Sequence, residues 1–170
     1  GALTAIRQIA EMKVDIPMLA MTHCDASKLA KQHGKKSEYA LCAAQWHKTL
    51  SYKDKFFGNG KKYDKDFTAE YDYAPPYQAA ESSAALLVWK DAFERANSFD
   101  TEKVRDALAK TDMQTFYGNI KFGSGGQNTA KPMVLFQVIC KGDVCENKVV
   151  APTKWASAKL VHPTPSWSER

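Results

Sequence analysis

The 170-residue chain is 44% hydrophobic and 25% charged, a globular composition with enough apolar side chains for one domain core. No stretch approaches the ~18 consecutive apolar residues of a membrane span, and Gly1 to Ala10 lacks the charged-then-apolar pattern of a targeting segment. The net charge of +5 argues weakly for anionic partners, but the densest basic cluster, Lys61-Lys62 with Lys65, is broken by Asp64 and Asp66. That interruption suits a solvated helix face, not the concentrated basic surface of a nucleic-acid binder.

Leu3, Ile6, Ile9 and Ala10 recur at helical spacing, which predicts a helix over residues 2–12 with one buried face. Met18 to Met21 is a short, wholly apolar run of the kind that forms a strand covered on both faces of a parallel sheet. Thr22 or Asp25 then caps a helix to about Gln32, ended by Gly34, and Tyr39 to Ala44 reads as a second buried strand. Helix, strand, helix, strand is the pattern of an α/β fold.

Trp46 to Gly60 is aromatic-rich and irregular, closing in a Gly58-Asn59-Gly60 turn. Tyr63, Phe67 and Tyr71 stand four apart and mark the core face of a helix. Pro75-Pro76 breaks the chain and opens a long helix to about Asn97, on which Ala84, Val88, Ala92 and Ala96 share a face small enough to pack closely on a sheet. Asp100 caps a further helix that buries Val104 and Leu108. Thr115 to Phe122 reads as extended, Gly123-Ser124-Gly125-Gly126 as a loop, and Met133 to Ile139 as a strand that returns near Lys148 to Val150. From Ala151 on, prolines and tryptophans predict a tail without regular structure.

Four cysteines are present. Cys140 and Cys145 flank Lys141-Gly142-Asp143-Val144, a turn between two β-rich segments, where a disulfide is geometrically open and would imply an oxidising compartment; two unpaired thiols are the alternative. His23-Cys24 invites a nucleophilic reading, yet no orienting Asn or Asp can be identified by spacing. The loop at Ser124 lacks the Lys-Ser/Thr that follows a phosphate cradle. Neither the four histidines nor a single Cys-x4-Cys pair has metal-ligand spacing. No catalytic residue, metal or cofactor is therefore assigned.

Several segments in order carry a resemblance. They run from Ala5-Ile6-Arg7-Gln8 through Pro17-Met18-Leu19-Ala20, Gly34, Glu38-Tyr39-Ala40-Leu41 and Pro75-Pro76-Tyr77-Gln78-Ala79-Ala80 to Asp91-Ala92-Phe93-Glu94-Arg95-Ala96. Val104 to Leu108, Gly118 to Phe122, Gly126-Gln127-Asn128 and Val149-Val150-Ala151-Pro152 complete the set. Together they resemble the type I periplasmic solute-binding proteins of ABC transporters, the family of the leucine/isoleucine/valine-binding protein, in its C-terminal portion.

The resemblance implies part of a two-lobed α/β fold, with parallel sheets flanked by helices and a C-terminal β-hairpin. Residues 1–44 would belong to the C-terminal lobe and 45–118 to the N-terminal lobe after a hinge crossing near Gln45-Trp46. Residues 119–170 would return to the C-terminal lobe as hairpin and tail. Sheet edges and apolar helix faces left uncovered would call for a companion segment or a swapped oligomer. The family holds a small-molecule solute between its lobes and hands it to permease subunits outside the cytoplasm. Thr22 falls where amino-acid binders place an acidic residue on the ligand ammonium. Its hydroxyl offers no countercharge, which favours an organic or aromatic acid over a branched-chain amino acid. Tyr77, Gln78 and Trp46 are the other ligand-binding candidates. A ligand-sensing receptor of the same fold, and a small α/β hydrolase using Cys24 or Ser124, are the rival readings.

Overall fold

A helix whose apolar residues fall on one stripe must bury that stripe, and α1 (Ala2–Glu11) does so through Ile6, with Leu3 packed beside it. The structure is a computed structural model that describes residues 1–22, 26–131 and 133–170, residues 26–28 through their backbone only. Two compact units divide the chain: Gly1–Gln45 with Met133–Arg170, and Trp46–Pro132.

In the first unit α1 is followed by β1 (Ala20–Met21), α2 (Ala26–His33) and β2 (Leu41–Ala44). β1 and β2 pair in parallel, with Ala20 opposite Leu41 and Met21 opposite Cys42. The apolar run beginning at Met18 yields only these two strand residues, because β1 is the edge strand of its sheet and Met18 is 46% exposed. Gly34, at φ +49°, ends α2 in the left-handed conformation that glycine adopts without a Cβ clash. The second strand begins at Leu41 and not at Tyr39 because Tyr39 also sits at positive φ, 65°. Its N–H donates to the Val138 carbonyl instead of continuing the ladder.

The sheet is completed by the last two strands of the chain, running Val134–Lys141 and Val144–Ala151, in the spatial order edge strand, β2, first return strand, second return strand. Both return strands pair antiparallel, so the sheet is mixed. Its core gathers Ile6, Leu29, Ala30, Ala40 and Val138. Cys140 stands opposite Cys145 across the hairpin, and the two are disulfide-bonded. The tail after Ala151, expected to lack regular structure, holds one 3-10 turn at Thr153–Trp155, is otherwise irregular and is pinned: the Thr164 N–H donates to the Pro17 carbonyl, and Trp167 donates through its backbone N–H to Asp15 and through Nε1 to the Val14 carbonyl.

The second unit opens with a small hairpin, β3 (Lys53–Asp54) and β4 (Gly58–Asn59), within the segment read as irregular. Asn59 caps α3 (Gly60–Tyr71) by accepting from the Lys62 N–H. Of the aromatic stripe on α3, Tyr63 is buried and Phe67 half-buried, while Tyr71 is 57% exposed, so the stripe is core only at its start. α4 (Tyr77–Ala96) and α5 (Thr101–Ala109) follow, the latter capped by Asp100, which accepts from the Lys103 N–H. The small-residue face of α4 was expected against a sheet; Ala92 packs instead against Val104 and Ala107 of α5.

Residues 115–122 run extended only from Asn119 on. The chain reverses at Thr115 to Gly118, and β5 (Asp112–Gln114) pairs antiparallel with β6 (Asn119–Lys121). This pairing keeps residues 119–132 in the second unit, so the division falls at 132/133 and not after Gly118. The remaining strands are therefore β7 (Val134–Lys141) and β8 (Val144–Ala151).

Candidate functional site

Parallel strands end together, and in open α/β sheets ligands bind outside the carboxyl ends of such strands. Thr22 immediately follows β1, and it is exposed. It lines an open concavity of about 590 Å³ with Gly1, Ala2, Ala5, Ala20, Met21, Ala43 and Leu135. Among the described lining residues the side chains are apolar apart from the Thr22 hydroxyl, and none is acidic. Thr22 stands four positions before Ala26, the first residue of α2, so it is not the residue that directly precedes the helix. Cap formation by Asp25, and the His23-Cys24 pair, lie outside the described residues.

In the second unit the Pro75-Pro76 break starts α4 at Tyr77, with Pro76 at the N-cap and no side-chain cap. Tyr77 is half-buried and Gln78 exposed. One turn further along α4, Glu81 is exposed. Tyr117, from the turn between β5 and β6, is buried, and the Lys131 ammonium lies 4.1 Å from the centre of its ring. Burial pushes the Tyr117 hydroxyl far above the usual tyrosine range, and the nearby charges of Glu81 and Tyr77 add to the shift. Burial lowers the Lys131 ammonium to about 8, a shift that the Glu81 carboxylate opposes. Tyr77, Glu81, Tyr117 and Lys131 thus form an electrostatically connected group on one unit. Sequence reasoning named only Tyr77 and Gln78 of this neighbourhood. Lys131 is one of 24 basic residues and has no distinguishing spacing, so no local pattern could have found it.

Trp46 is only 5% exposed. It meets Tyr63 and Phe116 edge-on at centroid distances of 5.8 and 6.1 Å, and its Nε1 has no hydrogen-bond partner. Tyr63 stacks on Phe116 at 4.2 Å, with Phe57 against both. This is a packed aromatic core, with no open face of Trp46 for a solute. Ser124 is exposed in a turn closed by Gly126 N–H to Gly123 carbonyl and Gly123 N–H to Gln127 carbonyl bonds, the loop expected of this glycine run. Among the described residues no cluster of three or more His, Cys, Asp or Glu could hold a metal ion. No described helix is long and apolar enough to cross a membrane.

The family profile described as periplasmic binding protein matches residues 1–143. The chain belongs to that family. Among similar solved structures, a leucine binding protein from Thermotoga maritima is 22% identical, with a TM-score of 0.65 over 89% of this chain and 43% of that one. A periplasmic binding protein from Burkholderia mallei is 17% identical, with a TM-score of 0.72 over 94% of this chain and 44% of its own. A solute binding protein of an ABC transporter from R. palustris, in complex with benzoate, is 18% identical, with a TM-score of 0.64 over 94% and 44%. At such identities the likeness shows the fold, a mixed α/β arrangement of the type I periplasmic binding class. The chain spans less than half the length of each of these relatives.

Proposed function

We propose that this chain is part of an extracytoplasmic solute-binding protein that delivers a small organic acid to the permease of an ABC transporter, without catalysing a reaction. Family membership over residues 1–143 supports solute binding in general. The choice of an acid rests on Thr22. Among the described residues, the concavity at the carboxyl ends of β1 and β2 presents a single hydroxyl among apolar side chains, with no carboxylate in its lining. An α-ammonium group placed there would meet no countercharge among the described lining residues to offset whatever hydration it gives up. An aromatic or aliphatic acid can bury its hydrocarbon part against Ala2, Ala5, Ala20, Ala43 and Leu135, with the Thr22 hydroxyl donating to one oxygen. Tyr77 and Gln78 are the corresponding polar candidates on the second unit.

A thermal-shift screen of the chain and of the natural gene product tests the reading, because a ligand that binds only the folded state raises Tm by mass action. The panel holds aromatic acids, short dicarboxylates, amides and aliphatic amino acids. Stabilisation by acids and not by amino acids is the expected result. Stabilisation by leucine or isoleucine instead would keep the solute-binding role and overturn the ligand class. In calorimetric titrations Thr22→Glu should weaken an acid ligand by at least about tenfold, since it sets a carboxylate against a carboxylate. Unchanged affinity would remove Thr22 from the site.

A further inference from the structure

Leu135 stands on β7 between two residues that are almost fully buried, Val134 and Phe136, yet it is itself only half-buried. The alternation of a strand explains the contrast, since Val134 and Phe136 face one side of the sheet and Leu135 the other. On β2 the same alternation separates the fully buried Cys42 from the half-buried Ala43, and Ala43 stands directly opposite Leu135 in the ladder. The parallel pairing of Met21 with Cys42 brings the next residues, Thr22 and Ala43, to the same level. Thr22, Ala43 and Leu135 therefore form one row across three neighbouring strands, about 10 Å from end to end at the usual strand spacing. All three line the concavity of about 590 Å³. The row has a hydroxyl at one end, a bare methyl in its middle and a branched hydrocarbon at its other end. Ala2 and Ala5 of α1 and Ala20 of β1 add further methyl groups beside it.

We propose that Leu135 is a specificity-determining residue of the solute site, which selects monocarboxylates with a ring-sized apolar body and rejects dicarboxylates. The inference rests on the solute-binding reading above and narrows its acid to one charged group. An acid whose carboxylate accepts from the Thr22 hydroxyl lays its body over Ala43, where only a methyl has to be cleared, and ends against the Leu135 isobutyl group. An apolar end gains from that contact by leaving water. A second carboxylate at the same end would be pressed against Leu135, where no described lining side chain offers it a donor or a positive charge. It would give up hydration without return.

The probes are p-toluate and terephthalate, which share a ring and one carboxylate and differ only at the far end, in a methyl or a second carboxylate. Both are titrated calorimetrically into the natural gene product and its Leu135→Lys and Leu135→Ala variants. The unmodified protein should bind p-toluate at least about tenfold more tightly than terephthalate. Leu135→Lys places a countercharge at the far end, so terephthalate affinity should rise by about tenfold or more while p-toluate affinity falls. Leu135→Ala should weaken p-toluate by about tenfold through lost apolar contact. A gain of affinity in Leu135→Lys cannot come from misfolding, and if that variant fails to fold, the unmodified protein and Leu135→Ala decide the matter. Equal affinities for the two acids in the unmodified protein, an unchanged preference in folded Leu135→Lys, or unchanged p-toluate affinity in Leu135→Ala would each overturn the role of Leu135 while leaving solute binding intact. If no acid, amide or amino acid binds the natural gene product, the function and this residue's role fall together.

Discussion

Replacing Gln137 with Leu should loosen the first unit through the tail and not through the sheet. Gln137 is fully buried on β7. Its Nε2 donates to the carbonyls of Tyr39 and Val161, each at 3.0 Å, and its Oε1 accepts from the Val161 N–H at 2.9 Å. One amide therefore satisfies three backbone groups from two distant segments. Leucine is similar in volume, so no large cavity forms, but three polar groups lose their partner. At about 1–3 kcal/mol for each unsatisfied group, the direct cost is about 3–9 kcal/mol if the tail stays in place. The chain can relieve part of it by letting Val161 and its neighbours peel into water. The observed loss should then settle near the lower end, with the tail opening first. Hydrogen exchange provides the assay: the Val161 amide should lose protection by about 100-fold or more, while amides of the β7–β8 ladder lose far less. Gln137→Glu should be worse at neutral pH, because a carboxylate cannot donate to the two carbonyls, and should recover as acid protonates it. Unchanged Val161 protection in the leucine variant would refute the view that this side chain holds the tail.

Three further outcomes follow from the packing. Asp54 accepts from the N–H groups of Phe56 and Phe57 through Oδ1 at 2.9 and 2.7 Å, and from Phe116 through Oδ2 at 2.7 Å. Asp54→Ala should cost about 2–4 kcal/mol, discounted because one of the bonds is exposed, and should diminish the near-ultraviolet circular dichroism of the Trp46, Tyr63 and Phe116 cluster. Asp100→Ala removes the cap on α5 and should cost about 1 kcal/mol, seen as faster exchange of the first amides of that helix. Reduction of Cys140–Cys145 opens a loop of roughly six residues and should lower stability by about 2 kcal/mol in denaturant titrations with and without reductant.

The helices were legible because each obeys a local rule. Pro75-Pro76 breaks the chain and starts α4 at Tyr77, Asp100 caps α5 from its own side chain, and the spacing of Leu3, Ile6 and Ala10 matches the buried face of α1. The β7–β8 hairpin was visible for a similar reason: an apolar run, a Lys141-Gly142-Asp143-Val144 turn with Gly142 at φ +60°, and a second β-rich run all lie within twenty residues or so. The errors arose where pairing partners are remote or where one residue leaves its expected backbone region. Tyr39 looks like the first residue of a strand, yet it takes up φ 65° because its N–H is claimed by Val138, ninety-nine positions later. Thr115 to Phe122 has the composition of one strand, yet its first half, Thr115 to Gly118, folds into a turn in which the Thr115 Oγ1 donates to the Gly118 carbonyl at 3.0 Å, and only Asn119 onward is strand.

The polar residues that matter most were the least visible, for a physical reason shared by both units. A buried polar side chain is tolerated only where other segments bring it partners, so its role is written in tertiary contacts and not in its neighbours along the chain. Gln137 lies inside an apolar strand run and reads as an interruption, until Tyr39 and Val161 arrive on either side of it. Lys131 reads as one more lysine before a proline, until the Gly118 backbone and the Tyr117 ring form its slot. Thr22 is the exception, named from its place after a strand in a resembled motif; even so, the apolar lining that argues for its ligand comes from Ala43 and Leu135, which no spacing rule connects to it. Motif position can therefore nominate a residue such as Thr22, but the chemistry of what it meets depends on segments a hundred residues away.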